Sequence, residues 1–232
     1  MSKIYITGDI HGENSLFRFS SKKFPKGNDL TRDDYVIIAG DFGLLWNNTP
    51  NKQELYNIKW LDNKPWTTLF IDGNHENFYR LGQLLVIDKF GGKVGVVSQN
   101  IFHLKRGEVY SIGGKTFFCF GGAYSWDRDG RKLGLSYWDE EIPNVAEMEY
   151  GLKNLEKVQY KVDYVVTHTV PKILIAKLGF SQDPSNMVDP TKKYLDHIAN
   201  SVTFKRWYFG HMHVDIELDK FRALFNDIEE LV

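Results

Sequence analysis

The stretch Tyr35-Val36-Ile37-Ile38-Ala39-Gly40-Asp41-Phe42-Gly43 decides how this chain folds. Its apolar part is short, rich in β-branched residues and without polar alternation, as expected of a strand buried on both faces. It ends abruptly in Gly40-Asp41. The same pattern recurs elsewhere: Lys3 to Thr7 leads into Gly8-Asp9, and Thr67 to Ile71 into Asp72-Gly73-Asn74-His75. Val162 to Val166 leads into Thr167-His168, and Arg206 to Phe209 into Gly210-His211.

Segments of helical length separate the first three runs. One covers Glu13 to Lys23, and the other Lys52 to Asp62, with Leu55, Ile58 and Leu61 spaced by three. Asp9 and Asp41 lie 32 residues apart, close to one β-α-β unit of roughly 30. The middle of the chain departs from this rhythm. Glu108 to Ile112, Gly113-Gly114 and Lys115 to Phe120 read as a hairpin, with Gly-Gly supplying the turn. Residues 121–142 form a long polar and aromatic loop, which suggests a functional loop or a cap. Pro143 to Tyr160 reads as a helix opened by proline. Val214 to Leu218 and Phe221 to Phe225 read as closing strands. So much hairpin character does not suit a purely doubly wound sheet. The pattern predicts an α/β (α+β) protein of two packed sheets flanked by helices.

A length of 232 residues suits one domain, 1–232. The 29 basic and 30 acidic residues nearly cancel, which removes a general field towards nucleic acid or an acidic membrane but leaves room for a local basic groove. The lone Cys119 excludes an intramolecular disulfide framework and fits a reducing compartment. Lying in Phe117-Phe118-Cys119-Phe120, it reads as a core residue. Met1 leads directly into a strand-like run, so the expectation is a cytoplasmic protein with neither signal peptide nor membrane span.

The strand ends carry the chemistry. In α/β arrangements ligands gather at the carboxyl ends of strands. Here those ends hold Asp9, His11, Asp41, Asn74, His75, His168, His211 and His213, which include five of the seven histidines. Such a mixed oxygen and nitrogen set suits divalent manganese, iron or zinc rather than calcium or a thiolate site. His103, between Phe102 and Leu104, and His197, in a charged helical segment, read as structural.

In these blocks the sequence resembles the calcineurin-like metallophosphoesterases, whose pattern runs D-x-H, G-D, G-N-H-[ED], a histidine, then G-H-x-H. All five occur in order from Asp9 to His213. The resemblance implies a β-sandwich flanked by helices in four αββα layers. It implies one metal held by Asp9, His11, Asp41 and His213, and a second held by Asp41, Asn74, His168 and His211. Manganese is the first expectation, with iron, zinc or nickel as alternatives. Metals about 3.5–4 Å apart need a bridging carboxylate, and a water they share becomes a nucleophilic hydroxide near neutral pH. By the same resemblance, His75 would serve the leaving group as catalytic acid, or alternatively orient water or phosphate.

Departures from the family pattern bear on the substrate. The Ser/Thr protein phosphatase branch writes G-D-Y-V-D-R-G and G-N-H-E-x-R. Here Leu44, Leu45 and Phe78 replace its acid and both arginines, and none of them can grip phosphate. The segment Gly121-Gly122-Ala123-Tyr124-Ser125-Trp126-Asp127-Arg128-Asp129-Gly130-Arg131 is similar instead to the G-G-A-x-S-x-D-x-x-x-R of small bacterial and phage members. Arg128 or Arg131 could bind phosphate, and Tyr124, Trp126 or Trp138 could stack on a base or an aromatic leaving group. The alternative is a solvated loop.

The expected function is therefore hydrolysis of phosphate mono- or diesters, small or nucleotide-like, by a metal-bridging hydroxide. A nuclease on DNA or RNA, a Ser/Thr-type protein phosphatase and a non-catalytic scaffold are the rivals. No membrane partner is expected, and the oligomeric state is left open.

Overall fold

The computed structural model describes residues 2–181 and 188–231. Thirteen strands among them form two sheets. Sheet A runs β13 (Ile228–Glu230), β1 (Ile4–Thr7), β2 (Tyr35–Ile38), β3 (Thr67–Phe70), β6 (Ile101–Leu104), β5 (Gly92–Ser98) and β4 (Leu85–Lys89). Sheet B runs β11 (Ile216–Leu218), β12 (Phe221–Ala223), β10 (Arg206–Phe209), β9 (Tyr164–Thr167), β8 (Lys115–Phe120) and β7 (Glu108–Ile112). Strands β1, β2, β3 and β6 are mutually parallel, as are β8, β9, β10 and β12. Every site-bearing loop thus leaves a parallel strand at its carboxyl end.

Both faces of the central strands are apolar, for a reason that the alternation of side chains makes plain. Ile4, Ile6, Ile37, Cys119, Tyr164 and Val166 point between the sheets into a shared core. Their neighbours point outward under helices. Tyr5, Val36 and Ile38 meet Leu16, Phe19 and Leu61; Phe118, Phe120 and Val165 meet Leu155, Leu195 and Ile198. This is the four-layer arrangement expected.

The helix Lys52–Asp62 has the bounds expected, its first turn capped by Asn51, whose side chain accepts from Glu54 N at 2.8 Å. Other boundaries differ. Glu13–Leu16 is a single α-turn followed by a 3₁₀ turn, Phe17–Phe19, instead of a helix to Lys23. There Arg18 turns inward to donate to Thr7 Oγ1 at 2.8 Å, a tertiary bond that periodicity does not reveal. Pro143 precedes the next helix rather than opening it. Asn144 caps Val145–Lys157, its side chain accepting from Glu147 N while Glu147 accepts from Asn144 N. Strands β4, β5 and β13 had no expectation; β13 returns to sheet A and pairs antiparallel with β1. Cys119 is fully buried, and among the described residues no helix is long and apolar enough to cross a membrane.

Candidate metal centre

Backbone contacts fasten the first two site loops to each other. His11 N donates to Asp41 O at 2.8 Å and Gly12 N to Phe42 O at 2.9 Å. Glu76 secures the second loop from beneath, accepting from Phe42 N at 2.6 Å and Gly43 N at 3.1 Å. Burial, with Asp41 adding to it, pushes the Glu76 carboxyl well above its usual value despite those two donors. The turns are sharp enough that His11, Asp41, His211 and His213 all take positive φ between 45° and 63°. Non-glycine residues in that region carry strain of about 1–3 kcal/mol each and cluster at functional sites. Glycines let the loops close in. A Cβ on Gly40, itself at φ +97°, would lie 2.0 Å from His168 Nδ1, and one on Gly210 would lie 2.0 Å from Asp9 Oδ1.

Asp9, His11, Asp41 and His213 offer ligand atoms within 4.8 Å of one another. Nε2 of His11 and Nε2 of His213 lie 2.9 Å apart, and His213 Nε2 is 3.1 Å from Asp9 Oδ2. Asp41 faces both ways: Oδ2 is 3.7 Å from His11 Nε2, and Oδ1 is 3.3 Å from His168 Nε2. Burial works against ionising Asp41, but His168, His75 and His11 outweigh it and hold the carboxyl below the usual range.

The donor chemistry around His168 tests whether cations fit. Its Nδ1 lies 2.9 Å from the Ala39 carbonyl, which can only accept, so Nδ1 carries a proton and Nε2 is the nitrogen turned towards the cluster. That nitrogen is 3.0 Å from Asn74 Oδ1. The amide is oriented by its other end, Nδ2, donating to Ser125 Oγ at 2.9 Å. Atoms of His168, Asn74 and Asp41 therefore converge on one point; with His168 as the neutral imidazole all three would offer lone pairs there, the donor set that a cation takes. His211 sets its ring against His168, centroids 5.0 Å apart, and its backbone N–H donates to Asp9 Oδ1 at 3.0 Å.

His75 stands at the edge of these clusters, its ring 5.3 Å from that of His11. Burial lowers its pKa, Asp41 works the other way, and Arg131, His11 and His168 add to the lowering. Arg131 Nη1 donates to His75 Nδ1 at 3.0 Å, while Nε and Nη2 of Arg131 grip Asp127 Oδ2 at 2.9 and 2.7 Å. Tyr124, Trp126 and Arg131 line a cavity of about 530 Å³ together with Asp41, Asn74 and His75. Arg128 is engaged differently: it stacks between Tyr124 and Tyr137 and pairs with buried Glu141 at 3.3 Å. Trp138 is buried against Trp46, which removes it from the stacking candidates. The loop is thus folded against the body and also reaches the cluster, joining the two alternatives drawn from sequence. His103 is buried beside Asp72, and His197 is exposed on the helix Pro190–Ser201.

Three residues at the site, Glu76, Ser125 and Asp127, carried no role in the sequence reading. Each lies within a quoted motif, but its part depends on a partner distant in the chain. The profile of the calcineurin-like phosphoesterase family matches residues 2–215. The chain belongs to this family of phosphoester hydrolases, whose members typically bind divalent metals. Over 245 residues it is 23% identical to a lariat debranching enzyme of Entamoeba histolytica, a match taking in 94% of this chain and 65% of the relative, so it spans less than two thirds of that protein. A phosphopantetheinyl hydrolase of Mycobacterium tuberculosis shares the fold, with a TM-score of 0.50 at 14% identity, covering 97% of this chain and 88% of the other.

Proposed function

We propose that this chain works as one domain that hydrolyses small or nucleotide-like phosphate esters with two divalent metal ions, and that residues 121–142 border its substrate. The observation that carries the dinuclear reading is the two-sided Asp41, one carboxylate oxygen towards His11 and the other towards His168. Asp9, His11, Asp41 and His213 hold one ion; Asp41, Asn74, His168 and His211 hold the other. The set suits manganese first, then iron, zinc or nickel. Such ions, when bound, supply an acidic water and positive charge for the phosphoryl oxygens.

The protein's own groups do the rest. Arg131, held by Asp127, binds the phosphate, and Tyr124 and Trp126 flank the organic group beyond it. His75 delivers the proton that the leaving oxygen takes up. Metal analysis of manganese-loaded protein tests this reading: two ions per chain are expected, with turnover of p-nitrophenyl phosphate or its bis ester. Asp41→Asn should remove both metal and turnover while the chain stays folded. Stoichiometric binding of a single ion by an active protein would overturn the dinuclear reading.

A second reading, a nuclease on DNA or RNA, draws on the likeness to a lariat debranching enzyme. The balanced charge weighs against it. Metal-dependent degradation of single-stranded DNA or RNA, with little activity on nucleotides, would favour it.

A further inference from the structure

We propose that a second cavity opening at His75 binds a nucleobase carried on the other ester arm of a phosphodiester, which makes the preferred substrate a diester of nucleoside type. This rests on the phosphoesterase reading above and narrows it. The cavity measures about 450 Å³ and shares His75 with the one beside Arg131. Organic groups can therefore extend from the phosphate in two directions, whereas a monoester has only one to place.

The lining states what the second arm is. It contains no lysine or arginine. Glu54 is neutralised by its ion pair with Arg80, and exposed Glu13 leaves the local charge negative. A further phosphate is repelled there; an uncharged group is not. Five carboxamides dominate instead, Asn14, Asn47, Asn51, Gln53 and Asn57, and the last four each have one end already bonded inside the protein. Asn47 Nδ2 donates to Glu54 Oε2 at 3.0 Å, leaving its carbonyl. Asn51 uses its carbonyl as the helix cap, leaving its NH₂. Gln53 Nε2 donates to Asn57 Oδ1 at 3.0 Å, leaving one carbonyl and one NH₂. Among the described residues these remaining groups have no protein partner. They are pre-oriented acceptors and donors, the pattern that the edge of a base presents in return. Trp46 adds an aromatic wall, fixed edge-on against Trp138 with centroids 5.5 Å apart.

The test compares esters of equal charge and the same leaving group on manganese-loaded protein: thymidine 5′-(p-nitrophenyl phosphate), its abasic deoxyribose counterpart, and methyl p-nitrophenyl phosphate. The thymidine ester is expected to exceed both others in kcat/KM by about tenfold or more. Gln53→Leu, on the exposed helix surface, and Asn57→Leu should each draw that ratio towards one. Equal rates for the thymidine and abasic esters, or a ratio unmoved in both variants, would overturn the base site. In either of those cases, continued turnover of p-nitrophenyl phosphate would leave the phosphoesterase reading standing. Turnover of no ester at all would remove both.

Discussion

Arg131 donates through Nη1 to Nδ1 of His75 at 3.0 Å, so a fixed cation faces the nitrogen that an imidazolium would also need as a donor. Two donors cannot share that contact. His75 can act as an acid only when Arg131 turns from it, and a substrate phosphate gives Arg131 a stronger acceptor to turn to. The proposed phosphate-binding and proton-delivering roles are thereby linked.

Arg131→Ala is expected to lower kcat/KM by about 10–100-fold, the loss of one charge-assisted contact, with metal content unchanged. Arg131→Lys should recover little of it, because an ammonium cannot grip Asp127 and phosphate with one planar fork. Steady-state kinetics with metal analysis check this; unaltered kinetics would sink the substrate role of Arg131.

For His75→Ala the expected loss in kcat is about 10²–10⁴-fold with both ions retained. It should be greatest for alkyl esters and smallest for p-nitrophenyl esters, whose leaving group needs no proton. Measurement of kcat across a series of leaving groups decides the matter, since a uniform loss contradicts the acid role.

Glu76 holds two backbone donors beneath the Asp41 loop, the buried Phe42 N–H and the part-buried Gly43 N–H. Glu76→Ala should cost about 1–3 kcal/mol of stability and weaken manganese binding by about 10–100-fold, as the loss of a group that orients a ligand does. Denaturant unfolding and a metal titration measure the two effects. Full metal affinity in the variant would show that the loop holds its shape without Glu76.

Asp34 ties the start of β1 to the turn before β2, accepting from Lys3 N at 2.6 Å, Thr31 N at 2.7 Å and Thr31 Oγ1 at 3.0 Å. Burial opposes its ionisation, but these donors outweigh burial and lower its pKa. A lowered folded pKa means that its contribution is complete above about pH 3.9, the ordinary value, and is lost as pH falls through the folded one. Asp34→Ala should therefore destabilise the protein at pH 7, and the gap to wild type should narrow in acid. Parallel unfolding curves at pH 7 and pH 3 provide the measurement; a constant gap would mean that the charge contributes nothing.

Within the chain, local signals were strong where apolar runs met glycine and a ligand-type residue. Strands β1, β2, β3, β9 and β10 were legible for that reason, as was the grouping of Asp9, His11, Asp41 and His213. Strand β4 was not, because its residues are largely exposed on a sheet edge, where burial imposes no pattern. The tightening at Phe17–Phe19 was hidden as well, since Arg18 finds its partners at Thr7 and Phe225.

The order of residues alone determined which side chains would stand at strand ends, because alternation and a terminating glycine are properties of a few neighbours. Only the packed structure could decide which oxygen of Asp41 faces His11 and which faces His168, that Arg131 rather than Arg128 reaches His75, and that half-bonded amides line a cavity bordered by the same histidine. Those facts depend on contacts between segments tens of residues apart, whose geometry is settled when two sheets close on a common core and not before.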